Sequence, residues 1–449
     1  MKPTIAIAGA SGFIGRWFIE KYHQHYNIIA FTRKDLEEEG RPNVEWRKVD
    51  MYSLSSTKMA LEGADFALYL VHSMNASTRL NQGSFEDTDL LLADNFARSA
   101  EECGLKQIIF MGGILPKDRS KFSRHLRSRY ETELTLGSRK TPLTALRAGV
   151  IIGPGGSSFR IVEKLIKKLP IMACPKWTKS ESQPIDVMDT LQIIHQCINN
   201  EAVYDKAIEI GGKEVISYID LLRKTAKIMG KKRLIFSIPF FTLGFSKLWV
   251  GLFSNSNRTL VSPLIESLRH DMKIDNNYQF DIDYTSLTSS LKNGLKEDIA
   301  KIPKRFEVEE EKNTVRSYQR LNNPGDKSTA WVAEAYPLWL SKTFKLILTA
   351  KKEDELVVFR LLGIKLLALE YIPERSDDKR YLFYIVGGFL AKRLDYGWLE
   401  FRSVLNNKHI IAAIHEFVPS LPWFLYKNTQ AVVHLWIMNS FGRYISSRK

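Results

Sequence analysis

Short apolar runs alternate with segments of helical periodicity through the first part of the chain. Thr4–Ala8, Ile28–Phe31, Phe66–Val71, Gln107–Met111 and Leu143–Leu146 have the length and composition of buried strands. Between them, Ile14–Tyr22 and Thr88–Cys103 carry apolar residues at the spacing of one helix face. Strands that alternate with helices in this way predict an α/β unit, a parallel sheet with helices on both faces. From Ile161 to Asn293 the pattern loosens. Helical runs at Ile161–Lys168, Met188–Asn199 and Tyr218–Met229 predict a cap, beginning near residue 161, on the carboxyl side of the sheet.

Lys296–Thr329 has another character, with mixed charges, the acidic run Glu307–Glu311 and an Asn-Asn-Pro-Gly turn at Asn322–Gly325. A linker is expected at 301–325, separating a unit at 1–300 from one at 326–449. After a helical or turn-like piece at Trp331–Leu340, strand patterns recur at Phe344–Thr349, Glu355–Leu361, Lys365–Tyr371, Tyr381–Leu390, Gly397–Leu405 and His409–Phe417. Strands this closely spaced are antiparallel. In Pro422–Ser446, Leu425, Val432, Val433, Trp436, Met438 and Phe441 recur at helical spacing. The expected second unit is therefore α+β, a curved antiparallel sheet gripping one long helix in the START-like manner. The space between sheet and helix is either core or a lipophilic cavity.

Composition narrows the class. The 449 residues are 44% hydrophobic and 26% charged, which suits two or three packed domains and excludes a disordered chain. Cys103, Cys174 and Cys197 are too few and too scattered for a disulfide framework or a cysteine-rich metal site, so a reducing compartment is expected. The apolar run Ile5–Ala8, closed by Gly9, is too short for an export signal. Leu234–Phe253 approaches the length of a membrane span, but Pro239, Gly244 and Lys247 argue against a crossing and leave a surface or interfacial segment as an alternative. The net charge of +15 is spread among acidic residues, without zinc-finger spacing or a long basic run. It favours anionic nucleotides or lipid headgroups over nucleic acid. A cytoplasmic protein, with peripheral contact at the inner membrane as an option, fits these features. No metal-ligand or nucleophile-elbow motif occurs, so neither a metal nor a serine hydrolase is expected.

The strongest local signal is Gly9-Ala-Ser11-Gly12-Phe13-Ile14-Gly15, which directly follows the first strand and opens a helix. Glycines are needed there for a tight turn, for approach of backbone amides to a pyrophosphate and for close helix–strand packing. With Tyr69–Met74, Leu146–Gly149, Gly153–Gly155 and Gln183–Val187, this spacing resembles the atypical and extended short-chain dehydrogenases/reductases. Glu370–Ser376, Tyr384–Gly388 and Gln430–Trp436 carry the resemblance on to NmrA-like NAD(P)H-binding bacterial proteins with a C-terminal domain of unknown function. The resemblance implies a Rossmann doubly wound sheet with a cap. It implies cofactor contacts from the glycine loop, from Thr32 and Arg33, from Asp50 near the adenine, from Val71, His72 and Ser73 after the fourth strand, and from Gly112.

At the end of the second strand, NAD-binding proteins place a carboxylate about 20 residues beyond the glycines. Here Phe31-Thr32-Arg33-Lys34 stands, with Asp35 further on. A guanidinium suits a 2′-phosphate, so NADP(H) is expected over NAD(H). Asp50 also reads as a turn-forming residue. Short-chain reductases place Tyr and Lys four residues apart, and none of the 17 tyrosines here has Lys at that position. His125 and Arg129 occupy the corresponding places. His125 can act as a general acid near neutral pH, whereas Arg129 can bind ribose or phosphate but holds its proton. A merely polar helix face is the alternative.

Two functions follow. One is an NADP(H)-dependent oxidoreductase for a small hydrophobic molecule. The other is an inactive nucleotide sensor or assembly factor for a membrane-associated complex, as resemblance to NmrA-like regulators and to the nucleotide-binding accessory subunit of respiratory complex I implies.

Overall fold

The computed structural model describes residues 2–36, 40–73, 80–238, 269–275, 278–304, 314–344, 348–353, 356–392 and 397–448. It divides into two compact units: Met1–Asn75 with Asn95–Glu307, and Ala76–Asp94 with Val308–Lys449.

The first unit is built on seven parallel strands: β1 (Thr4–Ala8), β2 (Asn27–Thr32), β3 (Val44–Lys48), β4 (Phe66–Tyr69), β6 (Gln107–Gly113), β7 (Leu143–Ala148) and β8 (Lys206–Ile210), with β5 lying in the second unit. Their order is β8-β7-β6-β4-β1-β2-β3, a doubly wound Rossmann sheet. Alternate residues of the central strands serve different faces. Ile5 and Ile7 of β1 join Trp17 and Phe18 of helix α1 (Phe13–Tyr22) in one buried cluster. On the sheet, Phe31 and Tyr69 meet Phe96, a residue of α3 (Phe85–Glu102), at ring separations of 6.4 and 4.9 Å. Helices α2 (Leu54–Leu61) and α4 (Arg124–Leu136) are capped by the side chains of Ser53 and Ser123.

The expected cap is smaller than the interval assigned to it. α5 (Ser157–Lys168) and α7 (Tyr218–Ile228) pack around a parallel pair, Ile171–Pro175 with Leu234–Ile238, and bury Leu165, Ile166, Met172, Leu222 and Ile235. By contrast α6 (Val187–Cys197) contributes Leu191 and Ile194 to the core of the main sheet, and β8 extends that sheet at its edge. Both follow from apolar faces that match the sheet and not the cap. A short helix α8 (Leu287–Gly294) completes the described part of this region. Of Leu234–Phe253, only Leu234–Ile238 lies within the described residues, and it is a strand. Glu307–Glu311 and Met74 lie outside them. Among the described residues no helix is long and apolar enough to cross a membrane.

The second unit contains β5 (Leu80–Gln82), β9 (Val315–Asn322), β10 (Leu348–Glu353), β11 (Leu356–Leu361), β12 (Ile364–Tyr371), β13 (Arg380–Gly387), β14 (Trp398–Val404) and β15 (His409–Phe417). They form one sheet in the order β10-β11-β12-β13-β14-β15-β9-β5, antiparallel except for the β9–β5 pair. β9 corrects the expected linker, because the whole strand falls within 301–325. α9 (Thr329–Thr343) and α11 (Gln430–Ser446) lie on one face, with the short α10 (Trp423–Asn428) before α11. Val332, Phe359, Phe383, Phe401, Met438 and Phe441 are buried together there. The Tyr336 ring stands 5.0 Å from Phe441 and 5.8 Å from Phe401. At these positions the interval between sheet and helices is packed core.

The opposite face of this sheet is charged. Leu399 and Phe401 enter the apolar cluster, so Glu400 and Arg402 on the same strand point the other way. The Arg380 Nε donates to Glu400 Oε2 at 2.6 Å, Arg402 bridges Glu400 and Asp94 at 2.9 Å each, and His415 Nε2 lies 3.1 Å from Glu400 Oε1. Burial pushes the Glu400 carboxyl up, but the two guanidiniums and His415 outweigh it and hold it well below the usual carboxylate range.

Candidate functional site

Parallel strands bring their carboxyl ends to one edge, where the loops after β1, β2, β4 and β6 meet. Gly9 adopts φ +90°, and a Cβ on it would stand 3.0 Å from the Leu70 carbonyl carbon. The Gly12 N–H donates to the Gly9 carbonyl at 2.9 Å and closes the turn. Gly12 is the N-cap of α1, and no side chain caps that helix. A Cβ on Gly15 would lie 2.7 Å from both Ala10 Cα and the Gly9 carbonyl oxygen. The first-turn amides, including those of Phe13, Ile14 and Gly15, have no intrahelical acceptor. Ser11 is exposed at the turn, and its hydroxyl has no partner among the described residues. These features form a cradle for a pyrophosphate on a helix N-terminus. The Phe13 ring turns away toward the Gly153–Gly156 turn, which Trp17 Nε1 also holds through a 2.9 Å bond to the Pro154 carbonyl.

The end of β2 is cationic. Thr32 Oγ1 accepts a 3.1 Å bond from the Lys34 N–H, which shapes the turn. Arg33 and Lys34 are exposed, and neither cationic head has a partner among the described residues. Asp35, the nearby carboxylate, is engaged by Lys48 Nζ at 2.6 Å. A ribose 2′-phosphate would therefore meet two free cations and a carboxylate already neutralised. Asp50 follows β3, and its Oδ1 accepts a 3.2 Å bond from the Tyr52 N–H, the turn-forming role expected as its alternative.

After β4 the chain runs through Val71, His72 and Ser73. His72 Nε2 lies 2.9 Å from His125 Nδ1, and the two rings are 4.8 Å apart. This pair joins a loop and the first turn of α4, which Ser123 caps by accepting from the Leu126 N–H at 3.2 Å. Two imidazoles so joined share a proton, one donating and the other accepting. Spacing along the chain gave no sign of the pairing, although both histidines were singled out separately.

Arg129 differs from its expected role. Its guanidinium donates to the Val71 carbonyl at 2.8 Å and to the Met111 carbonyl, and it stacks over Phe110 at 4.5 Å. It ties the ends of β4 and β6 together from a buried position and holds the His72 loop in place. Gly112 follows Met111 at the end of β6, where a Cβ would come within 3.0 Å of the Phe110 ring. Nearby, Ile114, Leu126 and Met272 form a buried apolar cluster flanked by Leu115.

Some supports were not anticipated. Arg16, one turn into α1, pairs with Asp298 at 2.9 Å and donates to the Ala300 carbonyl, clamping the start of the helix. Arg147 and Glu133 form a bidentate pair at 3.0 and 2.5 Å between β7 and α4. In Gln183–Val187, Gln183 Nε2 donates to the Gly212 carbonyl at 2.6 Å and Asp186 caps α6, so that motif is structural.

Comparison with known proteins agrees with the fold of the first unit. Residues 5–133 match the NAD dependent epimerase/dehydratase family. Auxiliary protein GraX of Staphylococcus aureus is 26% identical over 146 residues, 32% of this chain and 43% of that protein. The chain thus spans less than half the length of this curated relative. Among solved structures, a nucleoside-diphosphate-sugar epimerase from Staphylococcus aureus superposes with a TM-score of 0.51 at 15% identity, covering 65% of this chain and 99% of its own. Triphenylmethane reductase of Citrobacter sp. does so with a TM-score of 0.51 at 16% identity and the same coverages. These likenesses establish the fold.

Proposed function

We propose, from a nucleotide-binding unit that is an atypical short-chain dehydrogenase/reductase, that this chain binds NADP(H) and reduces a small hydrophobic carbonyl or quinone-like acceptor. The glycine loop and the N-terminus of α1 hold the pyrophosphate, and Arg33 with Lys34 holds the 2′-phosphate. When bound, NADPH would supply the hydride that reduces the acceptor. His125 delivers the proton to the acceptor oxygen, and His72 relays a replacement through their hydrogen bond. Arg129 acts as a positioning residue, since its guanidinium holds the Val71 and Met111 carbonyls. The partly buried Leu115 and Ile274, packed on the buried Ile114, Leu126 and Met272 cluster, support an apolar acceptor.

The single observation that carries the reading is the His72–His125 hydrogen bond at the carboxyl edge of the sheet. The test is NADPH oxidation by the purified chain across a panel of quinones and hydrophobic carbonyls. Turnover with at least one acceptor, lost in His125→Asn, is the expected result. Tight NADPH binding with no oxidation across the panel would favour a second reading, a nucleotide sensor without turnover. The engagement of Arg129 with backbone carbonyls and the match to an auxiliary protein support that alternative. It predicts a partner retained from membranes with NADPH and released without it.

A further inference from the structure

The second unit presents an apolar surface that its own core does not use. α11 buries Ala431, Met438, Phe441 and Ile445 against the sheet side. Its first two turns expose Val432 by 56%, Val433 by 54% and Trp436 by 52%, while α10 exposes Phe424 by 76%. The turn after β13 adds Phe389, which is 63% exposed. That turn adjoins the segment before α10, since the Ser420 N–H donates to the Leu390 carbonyl at 3.0 Å and the Lys392 N–H to the Val418 carbonyl at 2.9 Å. Aromatic and branched side chains from α10, α11 and the turn after β13 are thus exposed on neighbouring pieces of the second unit, the kind of apolar surface that marks an interaction site.

Charge selects the occupant. No Asp or Glu follows Glu416, whereas Lys427, Arg443 and Arg448 do, and Lys392 lies beside Val418. All four cations are exposed. A second copy in a two-fold dimer would bring the same cations against themselves. An anionic bilayer offers the complementary surface, with lipid phosphates for the cations and the acyl boundary for Trp436 and Phe424. We propose that the α10–α11 face docks on an anionic membrane surface, with α11 lying parallel to it and the exposed aromatic rings inserted. The sheet-facing side of α11 keeps its place in the core, so the contact is shallow and reversible. This inference is independent of the nucleotide site.

Co-sedimentation of the full chain with vesicles of phosphatidylcholine alone, and with added phosphatidylglycerol, tests it. Binding is expected only to the anionic vesicles, weakening as salt rises. The double variant Phe424→Ser/Trp436→Ser is expected to lose roughly tenfold in vesicle affinity while its melting temperature and NADPH affinity stay unchanged. Lys427→Glu/Arg443→Glu, which leaves the apolar groups in place, is expected to lower affinity by a similar factor and flatten the salt dependence. Absence of vesicle binding at low salt, or binding indifferent to both pairs of substitutions, would overturn the proposal. So would a concentration-dependent dimer, seen by light scattering, that the Phe424/Trp436 variant abolishes, because the face would then belong to a second copy.

Discussion

The two units handle polarity in opposite ways. In the first, the central strands are apolar on both faces, and the groups with chemistry stand at the carboxyl ends, where the side chains of Ser11, Arg33 and Lys34 have no partners among the described residues. In the second, charges lie in the body of the sheet, and Arg380, Glu400, Arg402, His415 and Asp94 satisfy one another. Charges that neutralise each other inside a fold hold strands in register, whereas cations left free at a loop edge are available to a ligand. The contrast separates the proposed binding edge from a structural face without reference to any relative.

The largest expected effect belongs to the structural face. Arg402→Ala takes a buried guanidinium from both Asp94 and Glu400, leaving Glu400 to Arg380 and His415, and should lower the unfolding free energy of the second unit by about 3–5 kcal/mol in urea denaturation. Replacing Asp94, Arg380, Glu400 and Arg402 together by apolar residues of similar volume should cost less than this single change. If the fourfold variant were the worse, the face would be doing more than balancing charge. At the binding edge, His125→Asn should lower kcat about 100-fold with little change in NADPH affinity, read by steady-state kinetics and titration. His72→Ala should do less, since it removes the relay and leaves the donor.

A smaller effect comes from His434 on α11, whose imidazole burial pushes down to about 4. Its ordinary value is about 6.5. Above that both states are neutral there. As pH falls from about 6.5 toward 4 the unfolded chain takes up a proton that the folded chain refuses, so stability declines across that window. The decline should amount to about 3 kcal/mol and should flatten in His434→Gln, as thermal melts at successive pH values would show. A slope unchanged by the substitution would place the acid sensitivity elsewhere.

The regular parts of both units were legible in the chain because their apolar periodicity matches their burial. β1 with its glycine loop, and the succession of antiparallel strands after Phe344, follow directly from that match. β9 escaped because Arg316, Ser317, Gln319 and Arg320 make it read as a charged linker. Its polar side chains are satisfied by residues far off in sequence, Arg316 by Glu416 and Arg320 by Asp87. The same distance hid the site's central contact, as His72 and His125 are 53 residues apart. Arg129 stands where short-chain reductases place a Lys, but its guanidinium is directed at backbone carbonyls far from it in sequence. Local pattern reports burial, and it carries no record of which distant partner satisfies a polar group.

The central claim is that the free cations at the end of β2 select NADP(H). Isothermal titration of the purified chain with NADPH and with NADH, repeated on Arg33→Ala, tests it most directly. The expected result is NADPH bound at least tenfold more tightly than NADH, with Arg33→Ala lowering NADPH affinity about tenfold and leaving NADH unchanged. Equal affinity for the two nucleotides in the unaltered chain, or an Arg33→Ala variant that still prefers NADPH by the same factor, would contradict it.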